Sequence, residues 1–477
     1  MALRFLPLIL ALLLTPPAWA QDGKALYERK CAQCHGSDGK GEGISAPFLY
    51  PKPRDFTRGL YKLRTTPSGQ LPTDADLLKV ISDGMHATSM VGWKRLSERE
   101  RLELVRYIKG FSERFKGEPP PQPIKIGKEI KPSKESIAKG RQLYQDLECF
   151  KCHGQEGRGD GPSAPELEDD WGNPIRPANL TKPWTFRGGS SARDIFIRFM
   201  TGMAGTPMPS YADSIESPDD AWHLANYVRS LAMSEAPEYG TLLPARYTKG
   251  PIPDDIDHPL WKEAKGVNFP LVGQVILDPR LFTPSVDMVT AKALYNDKEV
   301  ALLILWDDPN QGGPDAPDAL AIQFPAKVPE GLERPYFLMG DASKPVYMLK
   351  WSSDGGVKEL NAWGVDKQTV QPQEGQTAKG RIIYHQGQYR LLLRRALTTA
   401  DTANDIQFEV GKFIPIAFMA WDGSNGERGS KMSLSSWYYF ILEEPPSRKP
   451  FLYPPIAALV AVGVEFLIYK RLKRRKA

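Results

Sequence analysis

The chain has 477 residues, with 62 Lys and Arg against 57 Asp and Glu for a net charge of +5; that length suggests about three domains. Hydrophobic residues at 41% and charged residues at 25% exclude both a disordered chain and a polytopic membrane protein. Six cations crowd the last eight residues and Arg4 lies in a leader. Without these seven and Glu465, 55 basic residues face 56 acidic ones, which excludes a basic nucleic-acid-binding body.

Phe5–Leu14 is a short apolar run, and Ala18-Trp19-Ala20 is a small-x-small cleavage signal. Residues 1–20 therefore read as a secretory signal peptide.

All four cysteines follow. An exported chain could pair them in two disulfides, but Cys31-Ala32-Gln33-Cys34-His35 and Cys149-Phe150-Lys151-Cys152-His153 are both C-x-x-C-H. That is the attachment pattern of c-type haem. Two thiols at this spacing form thioethers to the vinyl groups of one porphyrin, and the adjacent imidazole, His35 or His153, reaches the iron. A redox dithiol or a zinc site is the competing reading.

The motifs sit in an internal repeat. Gly23, Leu26 and Tyr27 correspond to Gly140, Leu143 and Tyr144, and Gly36, Gly39, Gly41 and Gly43 correspond to Gly154, Gly157, Gly159 and Gly161. Met90 lies 55 residues after His35, and Met208 lies 55 after His153. These two are the expected distal ligands; Met85 and Met203 also repeat, so spacing leaves them open. His86 has Ala204 as its counterpart, which argues against bis-His ligation. His/Met ligation raises the potential and fills the coordination shell, as electron transfer requires. Each copy ends in an amphipathic helix, one capped at Ser97 with Glu100 and the other at Ser217 before Pro218.

This pattern resembles the class I cytochromes c over about 21–115 and 134–231. The resemblance implies two all-α domains, at 21–116 and 134–235, each holding one covalent haem c between a short N-terminal and a C-terminal helix. The Pro/Lys-rich stretch 117–133 between them reads as a semi-rigid linker.

From about residue 238 to 446, cysteine disappears and short β-type runs take over, among them Val300–Trp306, Ala319–Phe324, Tyr389–Leu393 and Phe413–Trp421. Asn296-Asp297 and Gln386-Gly387 read as hairpin turns. These runs predict an all-β sandwich. Two of its segments, Pro335-Tyr336-Phe337-Leu338-Met339-Gly340-Asp341 with Pro345–Trp351, and Ala420-Trp421-Asp422-Gly423 with Glu427–Ser433 and Trp437, resemble the signatures of the haem-b γ-subunits of ethylbenzene and dimethylsulfide dehydrogenases. That resemblance implies one non-covalent haem b between Met339 and Lys431; His258 and His385 are reserve candidates by residue type alone. A ligating Lys431 must be deprotonated, hence desolvated.

Phe451–Tyr469 is apolar apart from Glu465, and the basic tail 470–477 follows it. This predicts a single C-terminal transmembrane helix in the plasma (inner) membrane, with the haem domains in the periplasm. The whole reads as a membrane-anchored multihaem electron-transfer subunit, not itself an enzyme. It would relay electrons between a molybdopterin oxidoreductase with its iron–sulfur subunit, of the nitrate reductase or nitrite oxidoreductase kind, and a soluble cytochrome or quinol-oxidising complex. The alternatives are a dihaem cytochrome c with a haem-free β docking domain, and a dihaem peroxidase, which needs an open iron.

Overall fold

The computed structural model describes residues 23–232, 239–282, 284–331, 333–445 and 449–474; the expected signal peptide, residues 1–20, lies outside them. The chain divides into two compact units. The first is Met1–Pro237 with the short segments Asp308–Asn310 and His385–Gln388, and the second is the remainder.

The first unit repeats one helical plan. Its first copy has helices Gly23–Lys30, Ala32–His35, Asp74–Asp83 and Glu98–Lys109, and its second has Lys134–Asp146, Phe150–His153, Ala192–Thr201 and Pro218–Leu231. The longer helices start at side-chain caps. Thr73, Ser97 and Ser191 form capping boxes with Asp76, Glu100 and Asp194, and the Ser217 hydroxyl accepts from the Asp219 and Asp220 amides ahead of Pro218. In each copy the first and last helices cross at buried apolar residues: Leu26 and Tyr27 meet Leu104 and Ile108, and Tyr144 meets Trp222, Leu224 and Tyr227. The stretch 117–133 is not all free spacer. Ile124, Ile126 and Ile130 pack on the second copy's core, and Asn226 Nδ2 donates to Ile130 O at 3.0 Å.

The two copies meet within this unit through buried polar contacts. Arg64, 2% exposed, donates to Thr201 O at 2.6 Å, and Arg198 donates to Arg64 O at 2.8 Å.

The second unit has fourteen strands: β1 Leu242–Tyr247, β2 Val267–Pro270, β3 Val272–Gly273, β4 Met288–Tyr295, β5 Glu299–Asp307, β6 Ala319–Pro325, β7 Val346–Ser352, β8 Gly356–Ala362, β9 Gln368–Val370, β10 Lys379–His385, β11 Gln388–Ala396, β12 Phe413–Trp421, β13 Ser433–Leu434 and β14 Tyr438–Leu442. They form one continuous sheet in the order β10-β11-β5-β4-β1-β14-β12-β6-β7-β8-β9. This corrects the expected sandwich of two antiparallel sheets. The sheet is mixed, because β1 runs parallel to both β14 and β4, and β12 joins the two arms by pairing with β14 at one end and β6 at the other. Alternation along a strand tells which face is apolar but not which strand is its neighbour, so the pairing was not legible. The arms still share a core: Ile304, Leu391, Tyr347, Leu349 and Phe418 belong to one cluster. Both faces of β12 are buried. Ile414, Ile416, Phe418 and Ala420 face that cluster, and Ala417, Met419 and Trp421 face a second one. That explains its unbroken apolar sequence.

The expected transmembrane helix is also corrected. Lys449–Arg474 is a 26-residue helix, but among the described residues no helix is long and apolar enough to cross a membrane. Pro454, Pro455 and Glu465 bracket an uninterrupted apolar run of Ile456–Val464 only. At 1.5 Å per residue this is roughly 14 Å, against a hydrocarbon core of about 30 Å. The inner-membrane anchoring rested on that span and falls with it.

Candidate functional site

Each C-x-x-C-H segment folds as one helical turn closed by the same hydrogen bonds. The amides of His35 and His153 donate to the carbonyls of Cys31 and Cys149, both at 2.9 Å. The Gly41 and Gly159 amides donate back to the His35 and His153 carbonyls at 2.8 and 2.9 Å. Tyr27 and Tyr144 hydroxyls donate to Gly36 O and Gly154 O at 2.8 and 2.7 Å. Only glycine fits at 43 and 161, since a Cβ there would stand 2.3 Å from Gln33 O and Lys151 O respectively.

The imidazoles are oriented by main chain. His35 Nδ1 lies 3.1 Å from Arg54 O, and His153 Nδ1 lies 2.9 Å from Ala178 O. A carbonyl only accepts, so Nδ1 carries the proton and the Nε2 lone pair is left for a metal. Burial lowers the pKa of both imidazoles, which keeps them neutral. It also raises the thiols, Cys31 to about 11 and Cys149 to about 12, with Cys34 and Cys152 raised less.

One cavity in the first copy is lined by Cys31, Cys34 and His35 together with both Met85 and Met90. Its walls are largely apolar, from Leu49, Phe56, Leu77, Ile81 and Trp93, and Phe56 stacks on the His35 ring at 4.5 Å. Two thiols, a free imidazole nitrogen and thioethers around an apolar slot are the donor set a covalently attached haem requires. The Met loops are duplicates. Met85 and Met203 amides donate to Met90 O and Met208 O at 2.9 and 3.1 Å, and Thr88 and Thr206 hydroxyls donate to Met85 O and Met203 O at 2.7 and 2.8 Å. Lining alone does not separate Met90 from Met85. Met208 packs on the second copy's apolar cluster.

The carbonyls of Arg54 and Ala178 escaped the sequence reading. A signal was present in Pro53-Arg54-Asp55-Phe56-Thr57 and Pro177-Ala178-Asn179-Leu180-Thr181. In both, the Asp55 or Asn179 side chain accepts from the amide and the hydroxyl of the threonine two residues on.

In the second unit Met339 is fully buried among Trp421, Met432 and Trp437. Its φ of 61° is left-handed, costly for a residue with a side chain. Lys431 is half-buried, and its Nζ donates to Asn425 O at 3.3 Å. His258 caps the helix Pro259–Glu263 by accepting from the Leu260 amide, and His385 is exposed.

Residues 137–232 match the family described as cytochrome c, and residues 18–108 match that described as cytochrome c oxidase, cbb3-type, subunit III. A protein of Haloferax mediterranei named as haem subunit ORF7 of a respiratory nitrate reductase is 26% identical over 221 residues, which are 45% of this chain and 78% of that one. A chain from the reducing HAO-like protein complex of Kuenenia stuttgartiensis is 47% identical over 44% of this chain and 96% of its own, with a TM-score of 0.43. A family 9 carbohydrate-binding module of Caldicellulosiruptor kristjanssonii, 13% identical, covers 43% of this chain and 97% of its own at a TM-score of 0.28; superpositions this loose support no conclusion about fold. The chain thus carries cytochrome c domains, and with them covalent haem c and a multihaem electron-transfer role.

Proposed function

We propose that Cys31 and Cys34 with His35 and Met90, and Cys149 and Cys152 with His153 and Met208, each hold one haem c. The chain is then the electron-relay subunit of an oxidoreductase complex. The observation that carries this reading is the twice-built turn in which an imidazole gives its Nδ1 proton to a main-chain carbonyl and keeps Nε2 free beside two thiols. Haem, once bound, supplies one-electron chemistry at the iron. The Arg54 and Ala178 carbonyls orient the imidazoles; the glycine turns would let main chain approach a haem bound there, and Met90 and Met208 would supply the second ligand to each iron.

The Haloferax relative, named as a haem subunit of a respiratory nitrate reductase, supports a nitrate reductase-like enzyme as the partner on one side; a molybdopterin centre and an iron–sulfur subunit in that enzyme are part of the proposal. A soluble cytochrome or quinol-oxidising complex is then the partner on the other. Denatured, acid-acetone-extracted protein should keep two haems by mass and by pyridine haemochrome; retention of one or none overturns the assignment.

A third haem, of b type, between Met339 and Lys431 is supported by the strained backbone at Met339 and the aromatic surroundings it shares with Met432. Ligation requires Lys431 Nζ to lose one proton, and its two remaining N–H groups can still donate to Asn425 O. The second reading, a haem-free docking domain, is favoured by the close packing that leaves Met339 fully buried. Lys431→Ala separates the two. It should deplete extractable haem b while leaving both haem c groups, whereas a chain that never carries haem b supports the docking domain.

A further inference from the structure

Lys62 has an environment that the haem ligands do not explain. It lines the same cavity as Cys31, Cys34 and His35, is 8% exposed, and among the described residues its Nζ has neither a hydrogen-bond nor an ion-pair partner. A buried ammonium without a counter-ion costs several kcal/mol. Burial, then the like charges of Arg187 and Arg54, push its pKa down to about 7.

Two more cations share the environment. Arg54 also lines the cavity; its guanidinium lies 4.4 Å from the centre of the Trp171 ring, and its Nη2 lies 3.4 Å from Ala204 O. Burial drives it down to about 10. Arg187 belongs to the second copy, where burial also lowers it and Tyr50 of the first copy acts on it electrostatically. The chain beside Arg187 lies against the first copy: a Cβ on Gly188 would stand 3.3 Å from Leu63 Cδ2, and Arg198 donates to Lys62 O at 3.4 Å. Asp169 attracts both Lys62 and Arg54, but its carboxylate accepts from the Trp171 and Asn173 amides and from the Asn173 side chain. The fold thus gathers one buried and two half-buried cations, with Lys62 and Arg54 in the cavity wall and Arg187 acting on both through its charge; Asp169, Asp170 and Asp55 offset Arg54 in part, and Asp169 offsets Lys62 in part.

Haem c has an anionic edge to match. Its thioethers lie on the vinyl side, and its two propionate carboxylates project elsewhere on the rim. We propose that Lys62 and Arg54, with Arg187 from the second copy, clamp the propionates of the haem attached at Cys31 and Cys34, so that the second cytochrome domain completes the first one's site. This rests on the haem c reading of the first copy. Charge-assisted bonds to carboxylate are the strong class of hydrogen bond, and burial makes them count. The three cations act as positioning residues, setting how the macrocycle sits and how readily its iron is oxidised.

The test is redox titration of the full chain, followed by haem spectra, for wild type, Arg187→Gln, Lys62→Gln and Lys62→Arg. Met208→His, which should displace the second haem alone, assigns the two transitions. Loss of a cation stabilises the oxidised haem. Arg187→Gln should therefore shift the first haem at least tenfold toward oxidised, about 59 mV downward for one electron, and leave the second unmoved although the substitution lies in the second domain. Lys62→Gln should do the same and Lys62→Arg should restore the wild-type value. Arg99→Gln, an exposed cation on the helix Glu98–Lys109, should shift neither. If Arg187→Gln and Lys62→Gln leave the first haem where it was, or move both haems equally, while both stay covalently attached, the clamp is wrong. A fold defect would instead show as loss of attached haem in the Gln variants, and Lys62→Arg failing to match wild type would then count against the clamp. Absence of any haem on Cys31 and Cys34 in the wild type would overturn the haem c reading itself, and the clamp with it.

Discussion

At the scale of single residues, the duplication acts as an internal control, since a contact made twice in diverged sequence is one the cofactor site needs. The tyrosine pair shows this. Tyr27 and Tyr144 are almost fully buried and give their hydroxyl protons to the glycine that ends the C-x-x-C-H turn. Tyr27→Phe or Tyr144→Phe removes one of the two hydrogen bonds that Gly36 O or Gly154 O accepts and should cost about 1 kcal/mol in denaturant titrations. Met90→Ala and Met208→Ala should each keep haem attached, lower the potential of their own haem and open it to carbon monoxide. If Met85→Ala and Met203→Ala do this instead, the other methionine of each pair is the ligand. The C-x-x-C-H turns and the repeated Met loops could be picked out in the sequence because residue type at fixed spacing marks them. The histidine-orienting carbonyls at Arg54 and Ala178 were not, because any residue supplies a carbonyl. The two copies also differ in length at that point, so His35 and Arg54 are 19 apart while His153 and Ala178 are 25 apart.

At the scale of elements, the decisive contact is the crossing of first and last helix in each copy. Gly23 and Gly140 are buried at that crossing, and a Cβ would stand 2.5 Å from Glu103 O at the first and 2.0 Å from His223 O at the second. Alanine would raise helix propensity by up to about 1 kcal/mol, yet it forces the main chains apart. Gly140→Ala should therefore destabilise the chain by about 1–3 kcal/mol net, as overpacking does, measured by urea unfolding followed at the Soret band. Ser191→Ala removes a cap whose hydroxyl accepts from the Asp194 amide at 3.1 Å and should cost about 1 kcal/mol. Both glycines stood out in sequence as repeated positions, but only the geometry shows that close helix approach is what they permit. The strands divide in the same way. The apolar runs of β5, β6, β11 and β12 were visible. β1 contains Pro244, and β8 reads Gly-Val-Lys-Glu-Leu-Asn-Ala; neither looks like a strand until its neighbours are known.

At the scale of the whole molecule, the two cytochrome domains behave as one body, because Arg64 spans them from a buried position. Its guanidinium also donates to Tyr61 O at 3.4 Å and Pro67 O at 3.3 Å, so Arg64→Ala orphans carbonyls on both sides. Calorimetry should show a loss of about 2–3 kcal/mol and a single haem-linked transition splitting into two. A linear reading could not show this, since Arg64 and Thr201 are 137 residues apart.

The sheet of the second unit is open, and an open sheet must guard its ends. Among the described residues β9 and β10 end the strand order, so each has a neighbouring strand on one side only. β9 is three residues long, and Pro372 follows shortly after it. β10 begins Lys379-Gly380-Arg381, whose repelling charges and weak strand former oppose an identical edge laid alongside. These unremarkable residues would then be what keeps the subunit from growing into fibres, independently of every haem. Lys379→Val with Arg381→Val should leave the redox properties intact and turn a monodisperse protein into one whose light scattering rises with time and concentration.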